Sequence, residues 1–161
     1  KGVGWDVIIF VCGMFIIANG ISRSGVTAVV SNYLSVIPGE GLVKLLGLTH
    51  AVGFFASGFS ALINNHPTAY LMPMVIQDLN MGDFASKILL FGALVGGDLG
   101  PKMLPIGSLA ALMWFRILRS RGVRVSYWLY IKIGVPVTLA AIFFSILILN
   151  LEVYLYHLLI R

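Results

Sequence analysis

A chain of 161 residues that is 59% hydrophobic and 11% charged departs from ordinary soluble domains, about a quarter of whose residues are charged, and is read as an integral membrane protein. The net charge of +5 makes no nucleic-acid face, because Arg116, Arg119, Arg121, Arg124 and Lys132 crowd one stretch between apolar segments, as in a cytoplasmic loop. Cys12 is the single cysteine; it excludes an intrachain disulfide and a thiolate zinc site and is read as a packing residue.

Lys1-Gly2-Val3-Gly4-Trp5 carries no initiator Met, charged n-region or cleavage pattern and reads as the middle of a longer polypeptide. Residues 5–21 form a first transmembrane helix, with Asp6 placed where an acid suits a helix N-terminus. Residues 25–37 are too short to cross and are expected to form an interfacial helix. Residues 42–77 hold a membrane-length arm rich in small residues, the break Asn64-Asn65-His66-Pro67, and a brief second arm. That asymmetry predicts a re-entrant helical hairpin with its tip near the midplane. Residues 84–118 make one span broken at Gly96-Gly97-Asp98-Leu99-Gly100-Pro101-Lys102-Met103-Leu104-Pro105. A last helix covers 127–149, with Trp128 and Tyr130 as interface anchors and Pro136 as a kink site. With the Arg-rich loop 119–126 in the cytoplasm, the hairpin opens to the outside and the C-terminus lies outside.

A bilayer tolerates non-helical backbone only where it is buried in protein or lines a polar cavity, so two breaks bearing Asn, Asp and Lys predict a solute site between broken helices. Asn64 and Asn65 each offer an acceptor oxygen and two donor hydrogens, for a solute, for an ion, or merely to cap the tip. Pro67 suits the first helical position, which leaves Thr68 in a first turn with unpaired N–H groups. Asp98 and Lys102 are the only charged residues between Ile88 and Phe115, a functional signal at that depth. They either pair and organise the loop, or Asp98 exchanges a proton. Gly107 and Ser108 open the second half of the broken span, with close backbone approach and a hydroxyl. His66 is a tip cap or a proton acceptor; His50 is read as a packed histidine and His157 as interfacial. No nucleotide loop, Ser-His-Asp pattern or metalloprotease motif occurs, so neither an enzyme, a cofactor nor a resident metal is expected.

At its two breaks the chain resembles the arsenite/antimonite efflux permeases, or arsenical pump membrane proteins, of the ion-transporter superfamily. Three stretches carry the likeness: Phe10-Val11-Cys12-Gly13-Met14-Phe15 through Gly20; Ser60-Ala61-Leu62-Ile63-Asn64-Asn65-His66-Pro67-Thr68; and Gly97-Asp98-Leu99-Gly100-Pro101-Lys102 with Pro105-Ile106-Gly107-Ser108-Leu109-Ala110 and Leu112-Met113-Trp114. His66 departs from the apolar residue usual there. The resemblance implies an all-α fold of two inverted repeats, each with a re-entrant hairpin and a broken helix, of which this chain would be the C-terminal one. It further implies export of arsenite and antimonite as uncharged hydroxides across a bacterial or archaeal inner membrane, driven by inward protons, with a soluble arsenite-stimulated ATPase as an optional partner. Asn64, Asn65, Thr68, Gly107 and Ser108 are then expected at the solute, and Asp98, Lys102 and His66 in proton coupling. A sodium/proton or organic-anion transporter of the same superfamily is one alternative, although dicarboxylate relatives carry Ser-Asn-Thr at their tips. A membrane anchor for an ATPase, without transport of its own, is the other.

Overall fold

The computed structural model describes residues 5–159, which contain helices and turns and no strand. Residues 1–4 and the side chains of Asp6 and His157, to which the sequence assigns roles above, lie outside the described residues. Seven α-helices follow in order: α1 (Trp5–Arg23), α2 (Val26–Ser35), α3 (Gly41–Ile63), α4 (Asn65–Asp78), α5 (Asp83–Leu99), α6 (Leu109–Ser120) and α7 (Tyr127–Leu159). Two short 3₁₀ turns, Gly100–Lys102 and Pro105–Gly107, separate α5 from α6.

Three stretches are long and apolar enough to cross a membrane: Gly41–Ile63, Asp83–Lys102 and Tyr127–Tyr156. A fourth arises if α1 and α2 count as one span, bent by 60°. Gly25 makes that bend, at φ 82°, where a side chain would be strained. Although short, α2 buries Thr27, Val30, Ser31 and Leu34, and it packs on α4. The arms around the tip are unequal. The 23 residues of α3 reach about 34 Å and the 14 of α4 about 21 Å, against the roughly 30 Å of a hydrocarbon core.

The closest packing joins α3 to α5. Lipid tails are as apolar as Leu, so association in a membrane relies on close van der Waals contact and small residues. Here Gly92, Gly96 and Gly100 fall at the i+4 spacing and lie against Thr49, Gly53 and Ser57, spaced alike on α3. A β-carbon at Gly96 would collide with the Gly53 carbonyl, and one at Gly100 with the Ser57 carbonyl. Gly107 continues the seam beyond the break, where a β-carbon would stand 2.5 Å from the Ala61 carbonyl oxygen. Outside the seam, Leu48, Val52, Ile76 and Leu89 are fully buried between α3, α4 and α5.

The last helix is longer than the expected 127–149. Asn150 and Glu152 look like the end of an apolar run, yet α7 continues through Pro136 and past Leu149 to Leu159. Asn150 does not end it because that side chain is buried, its amide nitrogen 3.1 Å from His50 Nδ1 and 3.4 Å from the Leu46 carbonyl on α3. A turn of α3 nearer the tip, Ile146 fills the notch at Gly53.

Candidate functional site

The two breaks meet. At the tip, Asn64 is the only residue between α3 and α4 and serves both. Its N–H donates to the Ser60 carbonyl at 3.0 Å, closing α3. Its side-chain oxygen accepts from the Asn65 N–H at 2.6 Å, opening α4. Doing both forces φ 78° and ψ 164°, a region essentially reserved for glycine and costing about 1–3 kcal/mol for any other residue. Thr68, fully buried, donates its hydroxyl to the Asn64 carbonyl at 2.9 Å and holds this conformation from the next turn. Pro67 occupies the third helical position rather than the first. Its missing N–H is still no loss, because first-turn N–H groups lack helical partners.

Where α5 ends, the low helix propensity of Gly96, Gly97 and Gly100 is compounded by Pro101, which cannot donate to the carbonyl four residues back. That carbonyl belongs to Gly97. Ser60, itself buried, donates its hydroxyl to it at 2.6 Å. A serine one turn before the tip of α3 thus replaces the bond that Pro101 deletes from α5. Lys102 Nζ donates to the Asp98 carbonyl at 2.6 Å, setting a cation on the negative C-terminal end of α5.

The side chains then cross between the breaks. Asn65 Nδ2 donates to Asp98 Oδ1 at 2.5 Å. A carboxylate only accepts, so the bond orients the amide, and Asn65 Oδ1 turns toward Gly97, where a β-carbon would be 3.2 Å away. The Asp98 carboxylate is therefore held at the positive N-terminal end of α4, where a negative charge is favoured. Of the two arrangements open to Asp98 and Lys102, direct pairing of their side chains is not the one found: the ammonium takes the main-chain oxygen and the carboxylate takes Asn65. Both charged side chains are exposed on this chain.

A cavity of about 370 Å³ opens beside this junction, between α4 and α5. Asn65, Thr68 and Gly97 line one end and Lys87 the other, with Met72 and Phe91 among the walls between. Ser108 and Gly107 are not part of it. Ser108 caps α6, its hydroxyl accepting from the Ala111 N–H at 3.2 Å, and Gly107 belongs to the seam. His66 is exposed and lies beside Met14, Phe15 and Pro67, away from the Asn65–Asp98 bond. Among the described residues no cluster of His, Cys, Asp or Glu could hold a metal ion.

The model of the arsenical pump membrane protein family matches residues 1–156. The chain belongs to this family. Arsenical pump membrane proteins of Yersinia enterocolitica and of Escherichia coli are each 30% identical to it over 94% of this chain and 35% of theirs. A putative arsenical pump membrane protein of Bacillus subtilis is 28% identical over 88% of this chain and 31% of its own. The chain thus spans about a third of the length of these curated relatives. No solved structure matches it.

Two features of this region escape a reading by residue type. Ser60 looks like one more small residue of a packing stripe. Counting four back from Pro101 to an orphaned carbonyl would have called for a donor such as Ser60. Lys87 looks like a surface lysine of a helix start, and only the groove between α4 and α5 joins it to Asn65.

Proposed function

We propose that this chain is the C-terminal repeat of an efflux transporter that moves trivalent arsenic and antimony, as uncharged trihydroxides, against inward protons. The observation that carries the reading is the Asn65–Asp98 bond, which ties a neutral, hydrogen-bonding tip to an ionisable group in the broken span. Arsenous acid resembles a small triol, suited to amide and hydroxyl partners, and this chain by itself, with one cysteine, builds no three-thiolate site. An uncharged solute gains nothing from the membrane voltage, whereas each inward proton supplies about 2.3 kcal/mol per 100 mV.

The geometry supports a coupling of solute to proton. With Asp98 ionised, its charge-assisted bond pins Asn65 so that Oδ1 faces the cavity wall at Gly97, ready to accept from a solute hydroxyl. Protonating Asp98 weakens that bond, frees the amide to turn and dismantles the acceptor. Solute and proton thereby exclude one another, as exchange requires. Asn64, whose amide nitrogen makes no hydrogen bond among the described residues, is a second solute contact. Lys102 organises the loop through its ammonium on the Asp98 carbonyl, while Thr68 holds the tip. Ser108 and Gly107 act through the position of α6, and His66 stays outside the pathway.

Ionised side chains facing lipid near mid-membrane are costly, so the surface bearing Asp98 and Lys102 is turned toward a polar cavity shared with an inverted N-terminal repeat. The membrane is a bacterial or archaeal inner membrane, with loop 119–126 cytoplasmic and the C-terminus outside. A soluble arsenite-stimulated ATPase is an optional partner. The test is arsenite uptake into everted vesicles carrying the full-length transporter under an imposed proton gradient. Uptake is expected to collapse with the gradient, and Asp98→Asn to abolish it in a folded protein. Gradient-independent uptake refutes the antiport, and wild-type rates in Asp98→Asn remove Asp98 from it.

A further inference from the structure

A second cavity, of about 400 Å³, lies where α6 turns into α7. Arg116, Arg119 and Arg124 line it, together with Ser126, Phe115 and Tyr127. No acidic side chain faces it, and no Asp or Glu occurs anywhere between Asp98 and Glu152. Three guanidinium groups that converge without a counter-ion in their own stretch of chain call for an anion from outside.

The N-terminus of α7 strengthens the demand. Ser126 accepts from the Trp128 N–H at 3.2 Å and, through its carbonyl, from the Tyr130 N–H at 3.1 Å. The cavity thus also receives the positive end of a 33-residue helix. Its surroundings set its depth. On the two helices that meet there Trp114, Tyr127 and Trp128 are exposed, and Phe115 packs edge-on against Tyr127 with ring centroids 4.8 Å apart. Aromatic side chains of this kind gather where headgroups meet hydrocarbon. The cavity is roomier than one phosphate needs, and its wall is half apolar.

We propose that this cavity binds the phosphodiester of an anionic phospholipid, with the arginines on the phosphate oxygens and the lipid's first carbons against Phe115 and Tyr127. Guanidinium forks match phosphate oxygens two at a time, which distinguishes a site from a diffuse basic loop. Arg121 supplies the internal control: it has the same charge and lies in the same loop, but does not line the cavity.

The test titrates the purified full-length transporter in detergent with dioleoyl phosphatidylglycerol or dioleoyl phosphatidylcholine and counts bound lipid by native mass spectrometry. Phosphatidylglycerol should bind at least tenfold more tightly than phosphatidylcholine. At roughly 1 kcal/mol per basic residue, R116Q/R119Q/R124Q should weaken it by about a hundredfold, with R121Q within twofold of wild type. If the triple variant fails to fold, R119K carries the test, because it keeps the charge and loses the fork; a loss of about fivefold is then expected. Equal affinity for the two lipids, or R121Q as damaging as R119Q, overturns the proposal. Displacement of the lipid by millimolar inorganic phosphate would assign the site to a free anion, and displacement by poly-glutamate to an acidic protein segment; either result also overturns it.

Discussion

Replacing Ser60 by alanine tests how the broken span is held open. The change removes a single oxygen and so opens little space, at a site that is completely buried. What is lost is the 2.6 Å bond to the Gly97 carbonyl, an acceptor whose helical donor Pro101 does not possess. An unsatisfied buried polar group costs about 1–3 kcal/mol, while side-chain hydrogen bonds between membrane helices average about 0.6 and reach about 1.7 kcal/mol. The second range governs because the unfolded chain in a membrane also finds partners, so a loss of about 1–1.5 kcal/mol is expected. Residues 99 and 100 are right-handed helical, as is Met103, so replacing the proline between them by alanine places an N–H within reach of the Gly97 oxygen. Pro101→Ala should therefore make Ser60→Ala nearly harmless, with a coupling of about 1 kcal/mol in a double-mutant cycle. The assay is reversible unfolding of the full-length transporter in mixed micelles. If Ser60→Ala costs the same in the wild-type and Pro101→Ala backgrounds, the serine does not stand in for the missing donor, and the account of the break is wrong.

Other substitutions probe the seam, the tip and the α3–α7 contact. Gly96→Ala drives a β-carbon into the Gly53 carbonyl, whereas Gly58→Ala meets nothing within 4 Å; the first should cost about 3 kcal/mol or more by the same unfolding assay and the second close to nothing. Asn64→Gly relieves a backbone strain of about 1–3 kcal/mol and loses the cap to Asn65, for which glycine is a tolerable substitute. The variant should be more thermally stable than wild type yet slower in vesicle transport; lower stability would contradict the strained geometry. His50 Nε2 and Asn150 Oδ1 are both buried without partners, so breaking the pair from one side should be worse than removing it. His50→Leu or Asn150→Leu should each cost about 1–2 kcal/mol, and the double variant less than their sum, as read from the melting temperatures of all four proteins.

The breaks were legible because their residues have strong backbone preferences. Pro101 and Pro105 cannot donate, the glycines around them destabilise a helix, and Asn tolerates positive φ at the tip. Hydropathy likewise marked α3 and the stretch Asp83–Lys102, since few charges interrupt either. What the sequence hid was pairing at a distance. The partner of Asp98 is Asn65, 33 residues away, and not the oppositely charged Lys102 four residues on; charge alone favours the near neighbour, and only the crossing of α4 and α5 decides otherwise. The same blindness shortened α7. Asn150 marks a helix end when read locally, but 100 residues earlier His50 makes it an interior residue. The capping of α6 by Ser108 was hidden in the same way, because it depends on where that helix begins.

The glycine seam between α3 and α5 also constrains the transport cycle proposed above. Carbonyl oxygens of one helix sit in the notches of the other, so a small slide brings backbone against backbone, and the next matching register is a full four residues, about 6 Å, away. The pair consequently moves as a single stiff strut. In the proposed cycle, any stroke that carries Asp98 carries Ser60 on α3 and Lys87 at the other end of α5 by the same displacement. Spin labels on the outward faces of α3 and α5 should keep one distance through the whole transport cycle, while distances from either label to the remainder of the transporter change.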